Sequence, residues 1–167
     1  MSFEEVIPVA IEKARAYLAA YGLEDQIMEF NVSSATVALA AEALGVEGAR
    51  IAKSLSFKNG SGCLLVVAAG DARVDNGPFK REFGVKATML SGEDVERLVG
   101  HGVGGVCPFG INEGVPVYMD ISLKRFETVY PACGSSNSAI KMTPEKLFEC
   151  ARAIKWVDVC KSWQENV

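Results

Sequence analysis

Hydrophobic and polar positions change period several times along the chain, and each change marks an element. Ile7, Ile11, Ala14 and Leu18 recur at helical spacing and predict an amphipathic helix over 2–21. Ser2 and Glu5 fit a capping box at its start, Gly22 fits its stop, and Pro8 falls past the first turn, where proline is disfavoured. QIMEFNV (26–32) predicts a short strand. Ser34 is placed to cap a second helix with Val37, Ala41 and Leu44 inward and Gly45 at its end. IAKSLSFK (51–58) alternates, with Ile51, Lys53, Leu55 and Phe57 on one face and Ala52, Ser54, Ser56 and Lys58 on the other. NGSG predicts a hairpin turn, and the apolar run CLLVVAAG after it has the pattern of a strand buried on both faces.

In the second half, Asp75 or Asn76 caps a short helix with Pro78 in its first turn and Gly84 at its end. KATML reads as a strand, and Ser91 caps GEDVERLVG with Asp94 reinforcing the cap. VPVYMD is a strand and SLKRF a helical turn; TVYPAC and SAIKM are strands joined by GSSN. Thr143-Pro144-Glu145 opens a last helix with Leu147, Ala151 and Ile154 inward. Strands and helices alternate irregularly and several strands are hairpin-linked. This favours a mixed α/β (α+β) domain around one sheet over a doubly wound parallel sheet. With no linker, repeat or low-complexity segment, a single domain over 1–167 is expected.

Composition narrows the function classes. The chain is 49% hydrophobic and 23% charged, a soluble globular balance. No apolar run approaches the roughly 18 residues of a membrane span. The start MSFEEVIPVA lacks a basic segment, so no secretory signal and a cytoplasmic location are expected. A net charge of −4 argues against coating nucleic acid through the overall field, and no DNA partner is expected. It leaves room for a local basic mouth, for which Lys53, Lys58, Arg73, Lys80, Arg81 and Lys86 are candidates. Five cysteines without a C-x-x-C pair, and the single histidine His101, give no zinc spacing; neither metal nor cofactor is expected.

Four features could carry chemistry. Lys53 is a cation on an apolar strand face, so it either snorkels to an edge or is kept for its charge. GGVCPFG (104–110) admits two functional readings besides a plain turn. Cys107 could be a nucleophile with His101 as its base. Alternatively, the glycines could turn backbone N–H groups toward an anion or a developing oxyanion, with Pro108 stiffening the turn. GDARVD (70–75) is a solvated turn or an ion-pair site, and GSSN (134–137) is a turn or a polar ligand site.

The order of IAKSLSF, GDARVD, GGVCPFG, VPVYMD and ACGSSNSAI resembles the YbaK family of prolyl-tRNA-synthetase-associated domains over about residues 25–150. These are free-standing aminoacyl-tRNA deacylases, with relatives inserted as editing domains in bacterial prolyl-tRNA synthetases. The resemblance implies a curved, mixed, largely antiparallel sheet flanked by helices, with the pocket beside the lysine strand and the glycine loop. It implies hydrolysis of the ester between a wrong amino acid and the terminal ribose of a tRNA. The partners would be the acceptor end of an aminoacyl-tRNA and, as a further expectation, an aminoacyl-tRNA synthetase. The family lysine falls on Lys53 and the Gly-x-x-x-Pro loop on Gly104 to Pro108, so Lys53, Gly104 and Gly105 are the expected catalytic positions. Phe30, Ser34, Asp71, Cys107, Pro108, Ser135 and Asn137 are the expected substrate contacts, with Cys107 lining the pocket rather than attacking. Some relatives carry an acidic residue or a histidine after the glycine-serine turn, where this chain has Asn137, Ser138 and Ala139. Subgroups remove alanine, cysteine, serine or threonine; the hydroxyl-rich turn here favours serine or threonine. A non-catalytic aminoacyl- or nucleotide-binding module and a Cys107 thiol hydrolase are the alternatives.

Overall fold

The computed structural model describes residues 10–167. Its strands are β1 (Met28–Glu29), β2 (Ile51–Asn59), β3 (Gly62–Ala69), β4 (Arg73–Val74), β5 (Val117–Asp120), β6 (Tyr130–Pro131), β7 (Ser138–Ala139), β8 (Trp156–Val157) and β9 (Cys160–Lys161). Its α-helices are α1 (Ala10–Ala19), α2 (Val37–Leu44), α3 (Asn76–Phe83), α4 (Gly92–Val99) and α5 (Pro144–Cys150).

The uninterrupted apolar run of β3 is explained by its place at the centre of a five-stranded sheet of order β6-β2-β3-β5-β8. From Leu64 to Ala69 no residue is more than 1% exposed. β2 and β3 form the hairpin that NGSG predicts, antiparallel in register from Ala52 opposite Ala69 to Asn59 opposite Gly62. β6, β5 and β8 add in parallel, so the sheet is mixed as expected, with its antiparallel character concentrated in that central ladder. Parallel pairing needs a crossover, and residues 70–116, carrying α3 and α4, supply the one between β3 and β5. Two small antiparallel ladders, β1–β7 and β4–β9, lie outside the main sheet. Phe57, Phe79, Phe83 and Tyr118 stack in series at centroid spacings of 4.7, 4.6 and 4.8 Å, fastening α3 to β2 and β5.

Several boundaries differ from the sequence expectation for physical reasons. Ile11, Ala14 and Leu18 of α1 are buried as predicted, whereas Ser2, Glu5, Ile7 and Pro8 lie outside the described residues. QIMEFNV shrinks to β1, because Phe30 N–H and Ser34 N–H turn to the carbonyls of Asn137 and Ser136 at 2.8 and 2.6 Å. Thr36, not Ser34, caps α2, its hydroxyl accepting from Leu39 N–H at 3.2 Å. KATML forms no strand; only Met89 bridges to Phe57. Ile154 falls beyond the end of α5 and is 58% exposed rather than inward, because Arg152 takes a left-handed conformation (φ 52°) that redirects the chain. No helix among the described residues is long and apolar enough to cross a membrane.

Candidate functional site

β2 carries Lys53 into the protein, and the turn after β3 receives its head. Lys53 Nζ donates to the Gly70 carbonyl at 3.2 Å and also to the Ala72 carbonyl. Gly70 permits this turn, because a Cβ there would lie 2.0 Å from the Gly48 carbonyl oxygen. Burial lowers the Lys53 pKa from its ordinary value, Cys160 and Asp71 oppose that, and Arg73 adds to it. Two of the three ammonium protons are engaged; the third has no acceptor among the described residues.

The glycine loop is built by close backbone approach. Gly104 adopts φ 91°, a conformation that disfavours a side chain, and a Cβ there would meet Ala35 Cβ at 3.1 Å. A Cβ on Gly105 would sit 2.7 Å from the Gly134 carbonyl carbon and the Ser135 nitrogen. The loop is therefore pressed against the GSSN turn on one side and the approach to α2 on the other. Gly105 N–H donates to the Gly102 carbonyl at 3.1 Å, closing a turn within the loop. Only one of the two expected glycine donors, Gly104 N–H, is left without an acceptor among the described residues.

These elements enclose a cavity of about 410 Å³, within the range of small-ligand sites. Lys53 is the one charged side chain among its described lining residues. Ser34, Ser54, Ser56 and Ser138 are its serine lining residues, and Ile51, Leu55, Met89 and Val95 contribute apolar surface. Ser34 and Ser54 are notable because their buried hydroxyl oxygens have no hydrogen-bond partner among the described residues. Such groups are uncommon in folded proteins unless something else satisfies them.

Of the residues expected at the site, Lys53, Gly104 and Ser34 line this cavity. The others are placed elsewhere. Gly105 lies behind Gly104 against the GSSN backbone. Asp71 is held by Arg125 in a two-pronged ion pair, 3.0 Å from Nη1 and 2.5 Å from Nη2, and by Asn166 at 3.0 Å. Burial alone would raise its carboxyl pKa, but the Arg125 and Asn166 hydrogen bonds hold it below the ordinary value. It lines a separate depression of about 630 Å³ with Arg125 and Phe126. Phe30 and Asn137 clasp each other, the Asn137 amide donating to the Phe30 carbonyl at 3.0 Å. The Ser135 hydroxyl lies 2.9 Å from Asn137 Oδ1 and 2.8 Å from Ser138 Oγ, so the GSSN turn satisfies its own polar atoms.

Cys107 and Pro108 are buried beneath the loop rather than in the cavity wall. This corrects the expectation that Cys107 lines the pocket. Burial pushes its thiol up to about 12. His101 is fully buried; its Nε2 lies 2.7 Å from the Phe109 carbonyl oxygen and 3.4 Å from Cys107 Sγ. With Nε2 donating to Phe109, the ring has no lone pair aimed at the thiol, and the pair is not built as a nucleophile and base. Among the described residues no group of three or more His, Cys, Asp or Glu side chains is placed to hold a metal.

Sequence reasoning placed Ser54 and Ser56 on a strand face without assigning them to the site. Two serines in a strand that is otherwise apolar on its buried part were the available signal. Tyr130 on β6 also lines the cavity, and no local motif announces it.

The model of the aminoacyl-tRNA editing domain matches residues 32–150. YwhH of Bacillus subtilis (strain 168), an uncharacterised protein, is 50% identical over 157 residues, covering 93% of this chain and all of that one. A crystal structure provisionally named a trans-editing enzyme for prolyl tRNA synthetase superposes with a TM-score of 0.83 at 29% identity, over 93% of this chain and 99% of its own. The hypothetical protein APE2540 superposes with a TM-score of 0.79 at 29% identity, over 89% of this chain and 99% of its own.

Proposed function

We propose that this chain, which belongs to the aminoacyl-tRNA editing domain family, is a deacylase that hydrolyses the ester of a mischarged tRNA. The observation that carries the reading is that Lys53 is the one charged residue in the cavity's described lining. It shares that wall with serine and apolar residues, and two of its ammonium protons go to the Gly70 and Ala72 carbonyls. A cation so placed suits the terminal ribose and phosphate of a tRNA, and a cavity of about 410 Å³ suits a small aminoacyl group. The likeness to a solved structure named for prolyl tRNA synthetase favours tRNA(Pro) as the carrier. The hydroxyl lining favours serine or threonine among the small amino acids.

Hydrolysis then proceeds by water. The water oxygen bonds to the ester carbonyl carbon, and the carbonyl pair moves onto its oxygen. The tetrahedral adduct expels the ribose oxygen, which takes up the proton the water gave up, leaving free amino acid and uncharged tRNA. Lys53 fixes the ribose end, and the water-excluding cavity strengthens each polar contact. No protein nucleophile is required, consistent with a Cys107 thiol held near 12 and closed off from the cavity.

The test separates turnover from mere binding. Seryl-tRNA(Pro) is incubated with the protein, and both bound tRNA and remaining ester are followed. The reading predicts loss of the ester above the spontaneous rate. Tight binding with the ester intact would make the chain a binding module instead.

A further inference from the structure

Gly105 N–H, one of the two donors expected for the oxyanion, is spent on Gly102, and the cavity presents another set. The first turn of α2 opens onto it, with Ser34, Ala35, Thr36 and Val37 in its lining. Thr36 Oγ1 takes Leu39 N–H, and the Thr36 carbonyl takes Ala40 N–H at 2.8 Å. Val37 N–H and Ala38 N–H have no acceptor among the described residues. They are the orphan donors of a helix start, where the partial positive charge of the helix is concentrated.

A second observation points independently to a ligand. Ser34 is 7% exposed, and its buried Oγ has no partner. Its backbone is pinned, because Ser34 N–H donates to the Ser136 carbonyl at 2.6 Å. A buried hydroxyl with no partner beside a helix start costs free energy. Its oxygen is closed to solvent, so a turn about χ1 brings it to an acceptor that enters the cavity, and that cost is then recovered. An oxyanion takes hydrogen bonds from both the hydroxyl and the helix N–H groups, and it matches the charge at that end.

We infer that the ester carbonyl oxygen is received by the Ser34 hydroxyl and the first-turn N–H groups of α2, in place of the engaged Gly105 N–H. The inference rests on the deacylase reading above. It divides the labour in the cavity: Lys53 holds the ribose side, and Ser34 with α2 holds the charge that grows as water adds. Gly104 keeps the loop close to Ala35 and so shapes the wall beside those donors.

The test is Ser34→Ala, with deacylation kinetics and thermal unfolding measured on the same protein. Removing a hydroxyl that has no partner in the empty state leaves Tm unchanged or raises it. Removing an oxyanion donor lowers kcat by about 10²-fold with KM nearly unchanged. Ser34→Gly removes the same hydroxyl with less bulk and is expected to give the same split. A kcat close to wild type in both variants would overturn the inference. So would a fall in Tm accompanied only by a higher KM, which is the signature of a structural serine. Absence of any ester hydrolysis by the wild-type protein would instead remove the deacylase reading itself.

Discussion

Lys53 Nζ reaches the Gly70 carbonyl oxygen at 3.2 Å, across a separation of 17 residues, and this contact joins a strand residue to the turn that ends the neighbouring strand. The hairpin register makes it possible, since Lys53 lies opposite Ala68, two residues before Gly70. Lys53→Ala removes the cavity's one charged lining residue and leaves the carbonyls of half-buried Gly70 and fully buried Ala72 without that donor. Stability is expected to fall by about 1–3 kcal/mol, whereas kcat/KM on an aminoacyl-tRNA falls by about 10²-fold. Deacylation rates beside a thermal melt separate the two effects.

Gly105→Ala tests the loop in a different way. The added methyl would press on the Gly134 and Ser135 backbone, which has no flexible side chain to move aside. Overpacking of this kind costs about 1–3 kcal/mol. A lower Tm is expected together with reduced activity, because the displaced loop carries Gly104 away from Ala35. A melt unchanged from wild type would mean that the loop and the GSSN turn are less tightly coupled than their approach indicates.

Much of this framework was legible in the chain. The alternation of residues 51–58, the NGSG turn and the apolar run after it specify the central hairpin, because a period of two with a strong turn has few other solutions. Lys53 stood out as a cation on an apolar face, and it does line the cavity. What was not legible depends on contacts distant in sequence. Asp71 looked like a site residue, but its partner Arg125 is 54 positions away, and the pair is built into a separate depression. Cys107 and Pro108 are named by the same motif as Gly104, yet a loop only seven residues long puts Gly104 and Val106 on the cavity and buries Cys107 and Pro108. Ser34 looked like a helix cap; Thr36 takes that role and leaves the Ser34 hydroxyl unsatisfied. The two-residue strands β8 and β9 are too short to carry a period.

His101 gives the protein a stability that depends on pH. Burial lowers its pKa, the Phe109 carbonyl opposes this, and Lys13 adds to the lowering. The unfolded chain therefore binds a proton more readily than the folded one. The stabilisation from a neutral His101 is complete above the ordinary histidine pKa of about 6.5 and is lost as pH falls below it toward the lowered folded value. Tm is expected to decline between about pH 7 and pH 5, before most carboxylates titrate. His101→Gln, which keeps a donor for Phe109 and cannot titrate, is expected to flatten that slope. An equal slope in the variant would place the pH dependence elsewhere.

Cys107→Ser asks whether the thiol does chemistry. The side chain is fully buried, and its thiol sits near 12. Thiolate is the reactive form, so a thiol-alkylating reagent at neutral pH is expected to modify Cys107 only when the protein is unfolded. The serine variant is expected to retain deacylation within a few-fold of wild type. Its abolition in a variant that remains folded would restore the thiol hydrolase.

The most direct measurement is a deacylation panel on tRNA(Pro) carrying alanyl, cysteinyl, seryl or threonyl esters, run with wild type and Lys53→Ala side by side. Editing activity centred on this cavity predicts that one or two of the esters, with seryl or threonyl foremost, are lost faster than the spontaneous rate and that the loss disappears in Lys53→Ala. Spontaneous rates for every ester with wild type, or equal rates with and without the lysine, would contradict it.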